Sequence, residues 1–289
     1  MLGIYVYTAP SSGGTTFDYI DLFCNISPIT DVDFKLFVDS YYAYDFVSSL
    51  KRSYSPVFVN IILKHLHIIK DPLEIQSILL EVNNFDTAFI HFSILQRYLN
   101  KQIIEKYNKI YILASWRMIR KFLYEDDVSP SYSHNNIKIL ASPFFKQFLI
   151  QNNIPLTKYQ TYYSKLSLER LNNIKVEYDG LFSDYENYTK YRHINKNFNI
   201  HKFDKLLYSR RSDSLYIELK AKTIFEFLYF NKPVYYSAKN KVMDDGLTDY
   251  LKLFGIDDNI SQELNISSSE VYDKLVKFNE TDLNNILNN

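Results

Sequence analysis

The chain has 289 residues, 46% of them hydrophobic, and its 33 basic and 33 acidic residues cancel to zero net charge. That length and apolar content support one large or two ordinary cored domains. Zero net charge excludes attachment to nucleic acid through an overall positive field and leaves only local basic faces for such contacts.

In chain order, the apolar run Leu2 to Tyr7 breaks into Thr8-Ala-Pro-Ser-Ser-Gly-Gly-Thr-Thr-Phe17. This predicts a buried first strand, a glycine-bearing turn and a helix, the junction at which α/β proteins hold the phosphates or sugar of a nucleotide. Backbone N–H groups at Gly13, Gly14 and Thr15, with Ser12 beside them, can face an anion. A plain turn capped by Ser12 or Thr15 reads the same way. The segment has neither the G-x-G-x-x-G of a dinucleotide site nor the G-x-x-x-x-G-K-[ST] of a nucleotide-triphosphate loop. Cys24, the only cysteine, falls in this first helix and reads as a buried thiol.

Further strands are predicted at Phe34 to Val38, Thr87 to Phe92, Ile110 to Ala114 and Ile137 to Leu140, each a short run suited to burial. Between them, Asp71-Pro72 starts a helix over Leu73 to Leu80, and Leu95 to Tyr107 carries helical spacing. A third helix is predicted from Pro143 to Gln151, capped by Ser142. This alternation predicts a parallel sheet covered by helices, in a first domain spanning residues 1–155.

The second domain, 156–289, opens with a tyrosine-, lysine- and asparagine-rich stretch holding one helix at Ser167 to Asn173. A strand at Lys205 to Tyr208 then meets Ser209-Arg210-Arg211. Helix Ala221 to Phe230, the turn Asn231-Lys232-Pro233, strand Val234 to Tyr236 and helix Leu247 to Phe254 follow, ending at Gly255. Helices near Ser268 to Phe278 and Thr281 to Leu287 finish the chain. Two βαβ-type halves meeting at a cleft suit this length. Without a basic leader or a run near the roughly 20 apolar residues of a membrane span, the expectation is a soluble, cytoplasmic protein.

The chemistry-bearing residues fall in two places. Lys222 and Glu226 are four apart on one helical face, where the lysine suits an anion near the helix start and the carboxylate can accept bonds from two ribose hydroxyls. An exposed ion pair explains the same spacing. As an acid or base, His91 at the end of a strand, Asp39 at the end of another, and Asp18 one turn past the glycine turn are candidates. A structural histidine and a helix-capping aspartate are the alternatives for the first two. Basic runs at Lys101 to Lys121 and Lys190 to Arg211 suit phosphates or solvent equally. For metals there is no H-E-x-x-H and no cysteine pair, and His65 and His67 share a side only in a strand.

The stretch Ala221-Lys-Thr-Ile-Phe-Glu-Phe-Leu-Tyr-Phe-Asn-Lys-Pro-Val-Tyr235 resembles the nucleotide-binding segment of glycosyltransferases of the B fold, which have two Rossmann-like domains facing a cleft. The resemblance implies that Glu226 holds the donor ribose and that Lys222, Arg210 and Arg211 contact the diphosphate. Ser12, Gly13, Gly14 and Thr15 are similar to that family's first glycine-bearing loop, which closes over the donor. The implied donor is a nucleoside-diphosphate sugar, with UDP the expected nucleotide, used as substrate with no tightly bound cofactor and no metal. Size and texture also resemble the phage enzymes that glycosylate hydroxymethylated pyrimidines, which implies a DNA acceptor. The rival reading is a noncatalytic nucleotide- or nucleic-acid-binding protein with the same two-domain architecture.

Overall fold

A computed structural model describes residues 1–8, 13–71, 73–82, 86–97, 101–114, 134–143, 150, 159–174, 181–182, 224–236, 238 and 247–288. The chain divides into two compact units, Met1–Asn173 with Phe278–Asn289, and Ile174–Lys277.

The first unit carries seven strands: β1 Leu2–Thr8, β2 Val32–Asp39, β3 Leu66–Ile69, β4 Thr87–Ile90, β5 Lys109–Leu113, β6 Ile137–Ala141 and β7 Tyr159–Thr161. Their order is β3-β2-β1-β4-β5-β6-β7, with every pairing parallel. Parallel strands are covered on both faces, which is why the central ones read as unbroken apolar runs. Helices α1 Gly13–Ile26, α2 Ala43–Ser53 and α3 Pro56–Lys64 pack on one face of the sheet, and α4 Leu73–Glu81, α5 Phe92–Arg97 and α6 Lys101–Glu105 on the other.

Two cores result. Leu2, Ile4 and Val6 of β1 pack with Tyr19, Ile20 and Phe23 of α1, while Tyr5 and Tyr7 point the other way to meet Ile75, Leu79 and Ile103 of α4 and α6. Tyr5 folds back across Gly3, where an added Cβ would lie 2.7 Å from the phenol oxygen, so the strand needs glycine there. Asp71 Oδ1 accepts from the Leu73 N–H at 2.9 Å, the capping role its position predicts.

Several elements were hidden from periodicity. β3 is four residues long and partly exposed, and β7 is the polar edge segment Tyr-Gln-Thr, so neither offers an apolar run. The predicted strand through Phe92 stops at Ile90 because the chain turns into a helix at His91, whose carbonyl accepts from the Ile94 N–H. The predicted helix at Leu95 to Tyr107 is two, α5 and α6. Beyond residue 155, β7 and a short helix α7, Leu168–Leu171, continue the first unit.

The last helix of the chain, here α11, spans Glu280–Asn288 and belongs to the first unit. Leu283 and Ile286 enter the α1-side core, and Lys109 Nζ and Tyr111 Oη donate to the Leu287 carbonyl at 2.6 and 3.2 Å, closing its C-terminal end.

In the second unit, β8 Leu181–Phe182, β9 Val234–Tyr236 and β10 Gln262–Glu263 form a sheet in the order β10-β9-β8, with β8 and β9 parallel and β9 and β10 antiparallel. Helix α8 covers residues 224–229 and α9 covers Leu247–Leu253. Each ends in a left-handed residue, Asn231 with φ of 53° and Gly255 with φ of 73°. Helix α10, Ser268–Val271, starts at a Ser267–Glu270 capping box and runs into a π-helical turn, Tyr272–Val276. The expected strand at Lys205 to Tyr208 lies outside the described residues. So do residues 183–223 and 239–246, on which much of the expected second Rossmann-like domain falls.

Candidate functional site

Strand order reverses between β1 and β4. Connections leaving the two strands therefore go to opposite faces, which opens a crevice at their C-terminal ends where open α/β sheets bind ligands. The side chains at that edge come from the last residue of each strand and the first turn of α1.

Thr8 closes β1, is fully buried, and its Oγ1 has no hydrogen-bond partner among the described residues. Helix α1 begins at Gly13 and Gly14, with Thr15 and Thr16 buried in its first turn and Thr16 Oγ1 placed 3.5 Å from the Tyr7 carbonyl. Ser12 lies outside the described residues. Asp18, one turn on, is also buried. Asp39 closes β2 and is partly exposed; its Oδ2 accepts from Tyr7 Oη at 2.7 Å. Ser142, just past β6, is buried, and its Oγ has no partner among the described residues.

His91 is fully buried just past β4. Its backbone N–H donates to the Tyr5 carbonyl, and its ring packs edge-on against Tyr19. The Ser93 N–H donates to Nδ1 at 3.3 Å, which leaves the proton of the neutral ring on Nε2. Tyr19 Oη itself donates to the Ile90 carbonyl at 2.8 Å and accepts from the Leu113 N–H at 2.9 Å. It bridges the ends of β4 and β5 where their ladder has stopped.

A second polar cluster, which sequence reading missed, lies deeper. Asp21 of α1, fully buried, accepts from Tyr54 Oη at 2.8 Å, Ser167 Oγ at 2.7 Å and Arg170 Nη1 at 3.3 Å. The guanidinium also lies over the Phe17 ring, and Glu169 Oε1 accepts from the Ser55 hydroxyl. Burial and the Asp21 carboxylate push the Tyr54 phenol and the Cys24 thiol well above their ordinary values, which keeps Cys24 away from the thiolate a nucleophile needs. The only sequence signal was Ser167 as a helix start; the partners are too far apart in the chain for spacing to link them.

On the second unit, Glu226 is 6% exposed on α8, two elements' breadth of chain before β10 and directly ahead of the Asn231 turn into β9. Arg210, Arg211 and Lys222 lie outside the described residues. Among the described residues of the basic run at Lys101 to Lys121, two lysines are engaged within the fold. Lys106 Nζ donates to the carbonyls of Leu79, Leu80 and Val82 at the end of α4, and Lys109 to Leu287.

Among the described residues no three His, Cys, Asp or Glu side chains gather as a metal site requires, and no helix is long and apolar enough to cross a membrane. His65 precedes β3 and packs against Phe23 and Phe34 of one core, whereas His67 packs against Phe37 of the other, so the two do not form a pair.

The first unit is thus a Rossmann-like α/β sheet of the kind that handles nucleotides and sugars. Comparisons with protein-family models, curated proteins and solved structures return no match for this chain.

Proposed function

We propose that this protein is a nucleotide-sugar-dependent glycosyltransferase. It moves a sugar from a nucleoside diphosphate, UDP being the expected one, to an acceptor hydroxyl on a glycan or on hydroxymethylated pyrimidine in DNA. The observation that carries the reading is Glu226, a buried carboxylate on a helix that turns through Asn231 into a strand parallel to β8. In the B-fold glycosyltransferases that this stretch resembles, a carboxylate so placed receives the donor ribose hydroxyls. The cations at Arg210, Arg211 and Lys222 would neutralise the leaving diphosphate without a metal, each such contact worth on the order of 10²-fold or more in rate.

The first unit takes the acceptor. Asp39 is the preferred base there, because its carboxylate is partly exposed and only Oδ2 is engaged by Tyr7. His91 carries its proton on Nε2 and is suited to donate rather than accept, and Asp18 is buried on α1.

Thermal unfolding with UDP-, GDP-, ADP- and TDP-sugars and the matching diphosphates tests the donor site, followed by turnover on hydroxymethylated DNA and simple glycosides. The expected result is a saturable shift selective for one nucleotide, lost in Glu226→Ala while the unliganded Tm is kept. No shift with any donor sinks the reading. A shift without turnover moves the assignment to a noncatalytic nucleotide-binding protein.

A further inference from the structure

We propose that Ser142 and Tyr162, side by side at the C-terminal ends of β6 and β7, form with Asp18 of α1 a binding subsite for an uncharged sugar. Ala141 pairs with Thr161 in the parallel ladder, and the Tyr162 N–H donates to the Ala141 carbonyl at 2.9 Å. Ser142 and Tyr162 are therefore the next neighbours across the two strands. Side chains alternate along a strand, so Ser142 shares the face of Leu140, which packs in the α1-side core, and Tyr162 packs against that same core.

The observation that points to a ligand is the Ser142 hydroxyl. Ser142 is 6% exposed, and its Oγ has no hydrogen-bond partner among the described residues. A hydroxyl withdrawn from water in this way costs free energy unless something completes it, and natural folds leave few such groups. The Tyr162 phenol beside it accepts from the Lys165 N–H, which leaves its own proton to be donated. Burial and the charge of Asp18, itself buried, hold that phenol above its ordinary value, so it stays protonated. The two hydroxyls together offer donors and acceptors, as the hydroxyls of a sugar require.

Charge selects the class of ligand. Asp18, Asp21 and Asp282 all act on the Tyr162 phenol, and the Lys165 ammonium lies in the field of Asp282. An excess of carboxylates disfavours a phosphate and suits a neutral polyol, so this edge fits a glycan and not the backbone of DNA. In the sheet β6 lies four strands from β2, roughly 19 Å at the usual strand spacing, so a sugar at Ser142 is not the one that reacts at Asp39. The acceptor is accordingly an oligosaccharide, and Ser142 and Tyr162 are binding rather than catalytic residues. Calling the ligand an acceptor rests on the proposed transferase function; the subsite itself does not.

Calorimetric titration of the full chain with maltotetraose, cellotetraose and chitotetraose, and with a short single-stranded DNA, tests this. One oligosaccharide should bind saturably, and the DNA should not compete for it. Ser142→Ala should weaken that binding about tenfold or more with the Tm unchanged, since its hydroxyl adds no bond to the fold among the described residues. Tyr162→Phe keeps the packing of the ring and should weaken binding likewise, which decides the matter if alanine at 142 disturbs the core. No binding of any of the three oligosaccharides, affinity unchanged in both variants, or displacement of the sugar by DNA overturns the proposal. So does a crystal structure of the oligosaccharide complex in which Ser142 Oγ meets only an ordered water. Oligosaccharide binding with the expected losses, but no transfer from any sugar nucleotide, rejects the transferase reading and keeps the subsite.

Discussion

Two polar constellations in the first unit differ in one physical respect. Around Asp21 the donors Tyr54, Ser167 and Arg170 converge on a single buried carboxylate, tying α1 and α2 to the chain beyond β7. Along the strand ends the polar groups do not converge on one another: Thr8 and Ser142 have no partners among the described residues, and Asp39 has one oxygen engaged. A buried carboxylate ringed by three donors serves stability even though Arg170 Nε there has no hydrogen-bond partner among the described residues, whereas the hydroxyls of Thr8 and Ser142 at the strand ends add no hydrogen bond to the fold. The difference separates the two sets without reference to residue type, since both contain an aspartate, a tyrosine and a hydroxyl.

The comparison breaks first at Asp21. Asp21→Ala should cost about 3–5 kcal/mol in denaturant unfolding, because it strands the buried guanidinium of Arg170. Adding Arg170→Met should recover much of that loss; an unchanged midpoint in the single variant would mean the cluster is not a stability element. Next in size, Leu283→Ala on α11 should cost roughly 2–4 kcal/mol by opening a cavity in the α1-side core, read from the same transition. At the strand ends the sign should differ. Thr8→Val removes a hydroxyl with no partner among the described residues and should be neutral to stabilising, by up to about 1 kcal/mol. A clear loss of stability there would show that Thr8 belongs with the Asp21 cluster.

The smallest effect is on pH dependence. Burial lowers the His65 and His67 imidazoles below their ordinary value. The unfolded chain then binds protons that the folded one resists, so stability is intact above the unfolded value of about 6.5 and falls as pH drops below it. A His65→Gln, His67→Gln variant should show a flatter Tm against pH between about 6.5 and 5, and an identical slope would place the acid sensitivity elsewhere.

Much of the central sheet was legible. β1, β2, β5 and β6 are apolar runs because parallel strands bury both faces, and α4 announces itself through Asp71. β3 and β7 were not, since short edge strands need no continuous apolar run. Helix α2 starts at Tyr42 without a side-chain cap and so carries no local start signal, whereas Ser55 and Pro56 mark the start of α3. Of the candidate site, Asp39, His91 and Thr15 could be placed at strand ends and the helix start from position alone. The Tyr7 bond to Asp39 could not, and neither could the engagement of His91 Nδ1 by Ser93.

Sequence alone determined that this chain folds around a parallel sheet, with a glycine-led helix after its first strand, because hydrophobic periodicity and helix-start chemistry are local properties. Only the tertiary structure decided where strand order reverses, that the last helix returns to complete the first unit, and which aspartate is enclosed and which is open. Those outcomes depend on contacts between residues far apart in the chain, such as Asp21 with Arg170 and Tyr111 with Leu287, whose pairing no local pattern encodes.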